Sequence, residues 1–359
     1  MKIMDIKATA VFPSSLFVRV FTDEGITGIG ECSPMNVAVI KEFIDHALKP
    51  SLLGENPVEI DRLWNKVFFK TYKLGVQGIQ PEAIAGVDIA LWDILGKATR
   101  LPVHALLGGA YRDTIQLYAS IGGGGHMAVR DMVKAVEVKL AEGFKAFKIR
   151  MDWGISHLDA NPTKDLDMFK AVKSILNKEY PLSFDANNGY SVPTAISQGR
   201  KFEDAGICHY EEPVPQYDYP GLKQVADALD VPVAAGEHEY TRWQIHDLIT
   251  RGGIDIVQAD VVKCGGISEF RKIATIVELY NKIMLPHQTQ PTVGHVASMH
   301  ACASIQNCTR PHEFTGRRPD LEALFTNYPA PVDGIMAVPK GPGLGLEMDE
   351  DAFKEIDEG

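Results

Sequence analysis

The sequence predicts an α/β architecture: a modified, TIM-like β/α barrel with a smaller α+β capping domain. Three observations carry this reading. Eight short β-rich runs recur between about residues 115 and 315, helical stretches separate most of them, and a differently patterned segment precedes them. The 359-residue length suits one large domain with a smaller companion.

In the leading segment, Ile6–Val11 and Leu16–Thr22 alternate as strands do, and Asp23-Glu24-Gly25 supplies a hairpin turn into Gly28–Glu31. Helical patterning follows in Val37–Leu48, Pro57–Phe69 and Pro81–Ala98, the last with a broad apolar stripe suited to packing on a larger body. The barrel strands are expected at Gln116–Ile121, Ala146–Arg150, Leu182–Asn187, Cys208–Glu212, Val231–Glu237, Ile254–Asp260, Ile283–His287 and Cys308–Phe314. Met127–Glu142 and Lys164–Lys178 are among the intervening helices. The expected division is a capping domain over 1–115, completed by 325–359, and a catalytic barrel over 116–324. The tail, rich in proline and glycine, is expected to wrap back over the small domain.

Composition removes several functional classes. Hydrophobic residues make up 45% and charged residues 23%, and the formal net charge of -11 argues against a phosphate-backbone partner. No run approaches the ~20 apolar residues of a membrane span, and the N-terminus lacks the apolar core of a signal peptide. The five cysteines include no CxxC pair, as expected of reduced thiols in a cytoplasmic protein. Gly122-Gly123-Gly124-Gly125 offers no dinucleotide fingerprint.

Chemistry in such barrels collects at the C-terminal ends of the strands. Asp185, Glu211, Glu237, Asp260, His287 and Glu313 occupy those ends, at successive steps of 26, 26, 23, 27 and 26 residues. Any one acid there is commonly a helix cap or a rim charge. Six polar groups at one-unit spacing instead converge on one pocket. Asp185, Glu211 and Glu237 cannot all stay ionised side by side without a compensating cation, and their hard oxygen donors suit Mg2+. The period of two places Lys148 and Arg150 on one face of the second strand, with Ile149 on the other. His287 falls one βα unit after Asp260, so a carboxylate–imidazole dyad is expected, which fixes the tautomer and strengthens the base.

These residues resemble the enolase superfamily, and within it the mandelate racemase subgroup. The stretch Gly25–Glu31 is similar to that family's capping domain, and Ala90–Lys97 with Leu106–Gly109 to its helix and linker into the barrel. Asp185-Ala186-Asn187, Glu211-Glu212-Pro213, Gly236-Glu237-His238 and Asp260 with Gly265-Gly266 resemble its metal-ligand and base-orienting stretches. The resemblance implies Mg2+ on Asp185, Glu211 and Glu237, a His287–Asp260 dyad, and Glu313 as a hydrogen-bond donor to an enediolate, with a raised pKa. It implies a small carboxylate substrate and a homo-oligomer.

One departure matters. The family's racemases carry a second lysine where this chain has Arg150, and arginine stays protonated at working pH. With His287 as the one competent base, the expected reaction is dehydration of an acid sugar, an aldonate or aldarate, to a 2-keto-3-deoxy acid. Racemisation or epimerisation on the same metal site is the alternative. The muconate-cycloisomerase and dipeptide-epimerase branches place a lysine where Asp260 stands, and here Lys263 lies three residues on. His238 resembles the Gly-Glu-His pattern of some sugar-acid dehydratases and, with Asn187, is a candidate substrate contact. His126 is a candidate on the rim. The connection Phe12–Ser15 is short where the family often has a longer lid.

Overall fold

The computed structural model describes residues 1–11, 15–288 and 290–358. Three antiparallel strands, β1 (Ile3–Val11), β2 (Ser15–Thr22) and β3 (Thr27–Glu31), form a small sheet in the order β1-β2-β3. Eight parallel strands follow: β4 (Thr114–Ile121), β5 (Phe147–Arg150), β6 (Leu182–Asp185), β7 (Tyr210–Glu211), β8 (Val233–Ala235), β9 (Ile256–Val257), β10 (Ile283–Met284) and β11 (His312–Phe314). They pair in chain order from β4 to β10, and β11 returns to β4. Among the described residues no ladder joins β10 to β11; a bond from Met284 N to Asn307 O, 3.3 Å, crosses there instead. Every residue of β6 and β8 is buried, as both faces of a helix-covered parallel strand must be.

All eight expected barrel strands are present, and several stop short of the polar residue assigned to their end. Glu237 lies two residues past β8, while Asp260 and His287 lie three residues past β9 and β10. Glu313 sits within β11. The expected connection Phe12–Ser15 lies, apart from Ser15, outside the described residues.

The helix Ile79–Thr99 joins the two sheets and is buried around almost its whole circumference, as its apolar content requires. On one side it meets β3 so closely that a Cβ at Gly30 would collide with the Gly86 carbonyl, and one at Gly86 with the Cys32 sulfur. On the other side Asp88 accepts from Ser268 N and Oγ at 3.0 and 2.6 Å, and Trp92 Nε1 donates to Ser268 Oγ at 2.9 Å. Trp64 Nε1 adds a 2.7 Å bond to Gly265 O.

The tail touches both parts of the chain: Leu344 N donates to Asp93 Oδ1 of the Ile79–Thr99 helix at 2.8 Å, and Phe325 packs edge-on against Phe17 of the small sheet at 6.2 Å. A final strand, β12 (Ile335–Ala337), pairs antiparallel with β4 of the barrel, because the edge-on backbone of Thr114–Gln116 is free to accept it. The last helix, Glu350–Glu358, also reaches the small sheet: Phe353 packs edge-on against Phe17 at 5.8 Å, and Asp357 binds Lys7 and Arg19, each at 2.6 Å. Those cations hold the Asp357 carboxyl down at about 2, although burial opposes them.

Candidate active site

Most of the expected site residues form one connected network at the C-terminal end of the barrel. Lys148, on β5, is 1% exposed and lies 2.6 Å from Glu211 Oε1, 3.0 Å from Glu313 Oε1 and 3.9 Å from Asp185 Oδ2. The ring of Tyr118 lies beneath its ammonium at 5.4 Å. Burial disfavours the charge on Lys148, but Glu211 and Glu313 more than restore it and raise its pKa well above the usual range. His287 closes the other side: its Nδ1 lies 2.7 Å from Asp260 Oδ2, and its Nε2 lies 2.8 Å from Glu237 Oε2 and 3.9 Å from Glu313 Oε2.

The backbone turns sharply after two of these strands. Asn187 binds back to Asp185, N to Oδ1 at 2.8 Å and Nδ2 to Oδ2 at 2.9 Å, with its own φ at 46°. Asparagine tolerates this left-handed conformation in an Asx turn. Glu212 adopts a φ of 41°, a strained value for a long side chain. That conformation swings it inward, where Asn188 Nδ2 donates to its Oε2 at 2.7 Å.

The electrostatics divide the acids into two groups. Burial raises all of them. Glu211 is nonetheless drawn down to about 2 by Lys148, His209 and Gln258, and Glu237 well below the carboxylate range by His287 and His238. Asp185 and Glu212 are pushed well above that range by burial and by their acidic neighbours. Burial works against a charged His287, yet Glu237 and the Asp260 hydrogen bond raise it to about 10.

Glu313 departs from expectation. Burial alone would raise its pKa, but Lys148 and His287 hold it below the usual value. Its carboxyl lies 3.0 Å from Lys148 Nζ and accepts from Gln288 N at 3.0 Å, and its pKa shift is opposite to the rise expected of it.

Arg150 lies at the end of β5, 3.6 Å from Asp152 Oδ1, and the carboxylates of Glu313, Asp152, Asp185 and Glu237 outweigh its burial and hold its proton. His238 Nε2 bridges Glu237 Oε1 at 2.8 Å and Glu212 Oε2 at 3.7 Å. With Asn187, Asn188 and Asp152 it lines a cavity of about 420 Å³ beside the network. His126 is exposed, and its ring meets that of Trp153 edge-on at 5.7 Å. Lys263 is buried, and its charge acts on Glu82, Glu237 and Glu239.

The donor set fits a hard cation. Asp185, Glu211 and Glu237 offer carboxylate oxygens alone, and their mutual repulsion appears in the raised pKa of Asp185. In this structure Lys148 and His287 carry the balancing charge, and the carboxylates turn toward them. Among the described residues, two groups gather three ligand atoms within 4.8 Å: Glu212, Glu237 and His238 here, and Cys302, Cys308 and His312 at the opposite end of the barrel. All five cysteines are free thiols. No helix among the described residues is long and apolar enough to cross a membrane.

Three contributors were missed from sequence: His209, Gln258 and Glu212. Gln258 Nε2 donates to Glu211 Oε2 at 2.7 Å, and His209 Nε2 lies 3.5 Å from the same oxygen. The period of two could have found the first pair, since His209 stands two residues before Glu211 and Gln258 two before Asp260. Glu212 had no such signal, because only its left-handed backbone brings it inward.

A capped β/α barrel with acids on successive strands and an imidazole–carboxylate pair beside them is the design of the enolase superfamily. The "Enolase C-terminal domain-like" family matches residues 131–352, and the "Mandelate racemase / muconate lactonizing enzyme, N-terminal domain" matches residues 6–108. The chain belongs to the mandelate racemase/muconate lactonizing enzyme family. It is 33% identical to an arabinonate dehydratase of Saccharolobus solfataricus, covering 98% of this chain and 92% of that one. A D-galactarolactone cycloisomerase of Agrobacterium fabrum is 31% identical, with 95% and 90% covered. Among solved structures, a mandelate racemase/muconate lactonizing protein of Paracoccus denitrificans complexed with magnesium superposes with a TM-score of 0.95 at 37% identity, over 99% of this chain and 97% of that one.

Proposed function

We propose that this chain is an acid sugar dehydratase, removing the α-proton of an aldonate or aldarate and expelling the β-hydroxyl to give a 2-keto-3-deoxy acid. The observation that carries the reading is the pairing of one base with one fixed cation: the His287–Asp260 dyad, closed at 2.7 Å, and Arg150, whose acidic neighbours keep its guanidinium protonated. Racemisation needs a second base, and a guanidinium held protonated by its neighbours cannot serve. The dehydratase and cycloisomerase relatives at 31–33% identity support the same family of substrates.

Asp185, Glu211 and Glu237 would hold Mg2+, which when bound supplies positive charge to the substrate carboxylate and so acidifies its α-carbon. The chain's own groups do the rest. Asp260 fixes Nδ1–H of His287, leaving Nε2 to accept the α-proton. Nε2 can do so only when Glu237 is engaged elsewhere, since the Glu237 carboxylate is what keeps His287 protonated. Lys148 presents a buried positive charge where the substrate carboxylate becomes an enediolate, and Glu313 holds that ammonium in place. The imidazolium of His287 then returns its proton to the departing hydroxyl, which leaves as water, and the enol tautomerises to the ketone.

A second reading has a specific basis. Besides the Agrobacterium enzyme, a 3,6-anhydro-D-galactonate cycloisomerase from Zobellia galactanivorans superposes with a TM-score of 0.87 at 30% identity. In a cycloisomerisation the same abstraction is followed by departure of an oxygen that remains tethered to the product.

A panel of aldonates, aldarates and their lactones, assayed with Mg2+ for 2-keto-3-deoxy acids, tests both. Activity on an open-chain acid, lost in His287→Asn and on chelation, is the expected result. Exchange of the α-hydrogen with solvent deuterium without loss of water would replace this reading with epimerisation.

A further inference from the structure

From the bonds that Glu31 makes across to the barrel, we infer that Glu31, at the end of β3 in the small sheet, is a positioning residue for His287 and Glu313. The inference rests on the proposed role of those two side chains. Glu31 is fully buried, and three donors on the chain just beyond His287 bind its carboxylate. Gly294 N donates to Oε2 at 2.8 Å, Thr292 Oγ1 to Oε2 at 2.9 Å, and Gln290 Nε2 to Oε1 at 3.3 Å. Gln290 Nε2 also reaches the Cys32 carbonyl at 3.1 Å, so β3 grips this residue twice.

The helix Val293–Ala303 explains why a carboxylate is needed there. All eleven of its residues are buried, and its N-cap, Thr292, makes no side-chain capping bond of its own. A buried helix start leaves N–H groups without partners and carries a partial positive charge. Glu31 supplies acceptor oxygens from another sheet, doing what an N-cap side chain ordinarily does.

The same chain leads back to the reacting groups. Gln288 Nε2 donates to the Gln290 carbonyl, and Gln288 N donates to Glu313 Oε2 at 3.0 Å. One sequence of hydrogen bonds thus runs from Glu31 through Gln290 and Gln288 to Glu313, and Gln288 is the residue next to His287. Since β10 ends at Met284, no strand pairing among the described residues holds His287 itself. Its ring is held by Asp260 and Glu237, and its backbone leads directly into the Glu31-anchored segment.

The test compares Glu31→Ala and Glu31→Gln with the wild-type chain. Misplacing a base by about 1 Å costs about 10²-fold in rate, so Glu31→Ala should lose kcat on that order while KM stays within about 3-fold. Glu31→Gln keeps an acceptor oxygen for Gly294 and Thr292 and should recover most of that loss. Magnesium affinity, measured by calorimetry on each protein, should not change, because the proposed ligands lie on β6, β7 and the β8 loop. Melting curves establish that each variant is folded at the assay temperature. Crystal structures of the wild type and Glu31→Ala give a readout independent of turnover: the Gln288–Glu313 bond should break and the His287 ring move relative to Asp260. Wild-type kcat in a folded Glu31→Ala, or an unmoved His287, would overturn the inference. If the wild-type chain turned over no sugar acid, the dehydratase reading would fall instead, and the crystallographic comparison would still decide the role of Glu31.

Discussion

Replacing Lys148 by methionine removes a charge and keeps the length of the side chain. The ammonium lies 2.6 Å from Glu211 and 3.0 Å from Glu313 in a site closed to solvent. At an effective dielectric of 20 each contact is worth about 6 kcal/mol, offset by several kcal/mol of desolvation per ion. Removing one partner of such a buried set costs about 3–5 kcal/mol, because the remaining carboxylates are left uncompensated. Urea denaturation in the presence of chelator, followed by circular dichroism, should show this loss near pH 8. The sign of the pH dependence follows from Glu211. Its pKa is about 2 in the folded wild type, so its contribution is complete above the ordinary glutamate value and is lost as pH falls toward 2. Without Lys148 burial dominates and the Glu211 pKa rises above its unfolded value, so the variant loses stability as pH rises. The difference between the proteins should therefore shrink from about pH 8 to about pH 5. A loss under about 1 kcal/mol at pH 8, or one that does not vary with pH, would refute the view that Lys148 is the charge holding these carboxylates together.

Two further outcomes can be checked. Asp260→Asn should keep the fold and the bond from Val262 N to its remaining oxygen, 2.9 Å in the native chain, yet lower kcat/KM by about 10⁴-fold as the imidazole loses its fixed tautomer; steady-state kinetics on the substrate found in the panel would show it. Asp357→Asn should cost at most about 2 kcal/mol at pH 7. The Asp357 pKa is depressed to about 2, so the cost should persist above pH 4 and vanish as pH falls through 2, which denaturation at several pH values would reveal.

The barrel was legible because its strands are short, apolar and regularly spaced, and the network because polar residues stand in or just past the ends of most of them. Exact strand ends were less legible: pairing at β9 and β10 stops after two residues, and the chain reaches Asp260 and His287 as loop. Sequence period assigns a side chain to a face only while the backbone stays extended. Glu212 broke that condition. The downward pull on the Glu313 pKa was not legible either, since its expected rise was inferred from a donor role and not from the ammonium 3.0 Å away. Nothing local in Glu31 announces its bonds to residues some 260 positions later; only the assembled sheets bring them together.

The Ile79–Thr99 helix also constrains how the chain can be made. A ribosome releases this apolar helix long before Ser268, the residue that accepts Trp92 and donates to Asp88. Until the Ile267–Leu279 helix exists, one side of it has no protein to cover it. The small sheet is built first in the chain, yet its own central helix is finished only by the barrel, so the two cannot mature as separate modules. Transplanting the first hundred residues onto a related barrel would succeed only if the recipient offered the same two hydrogen-bonding groups at the position of Ser268.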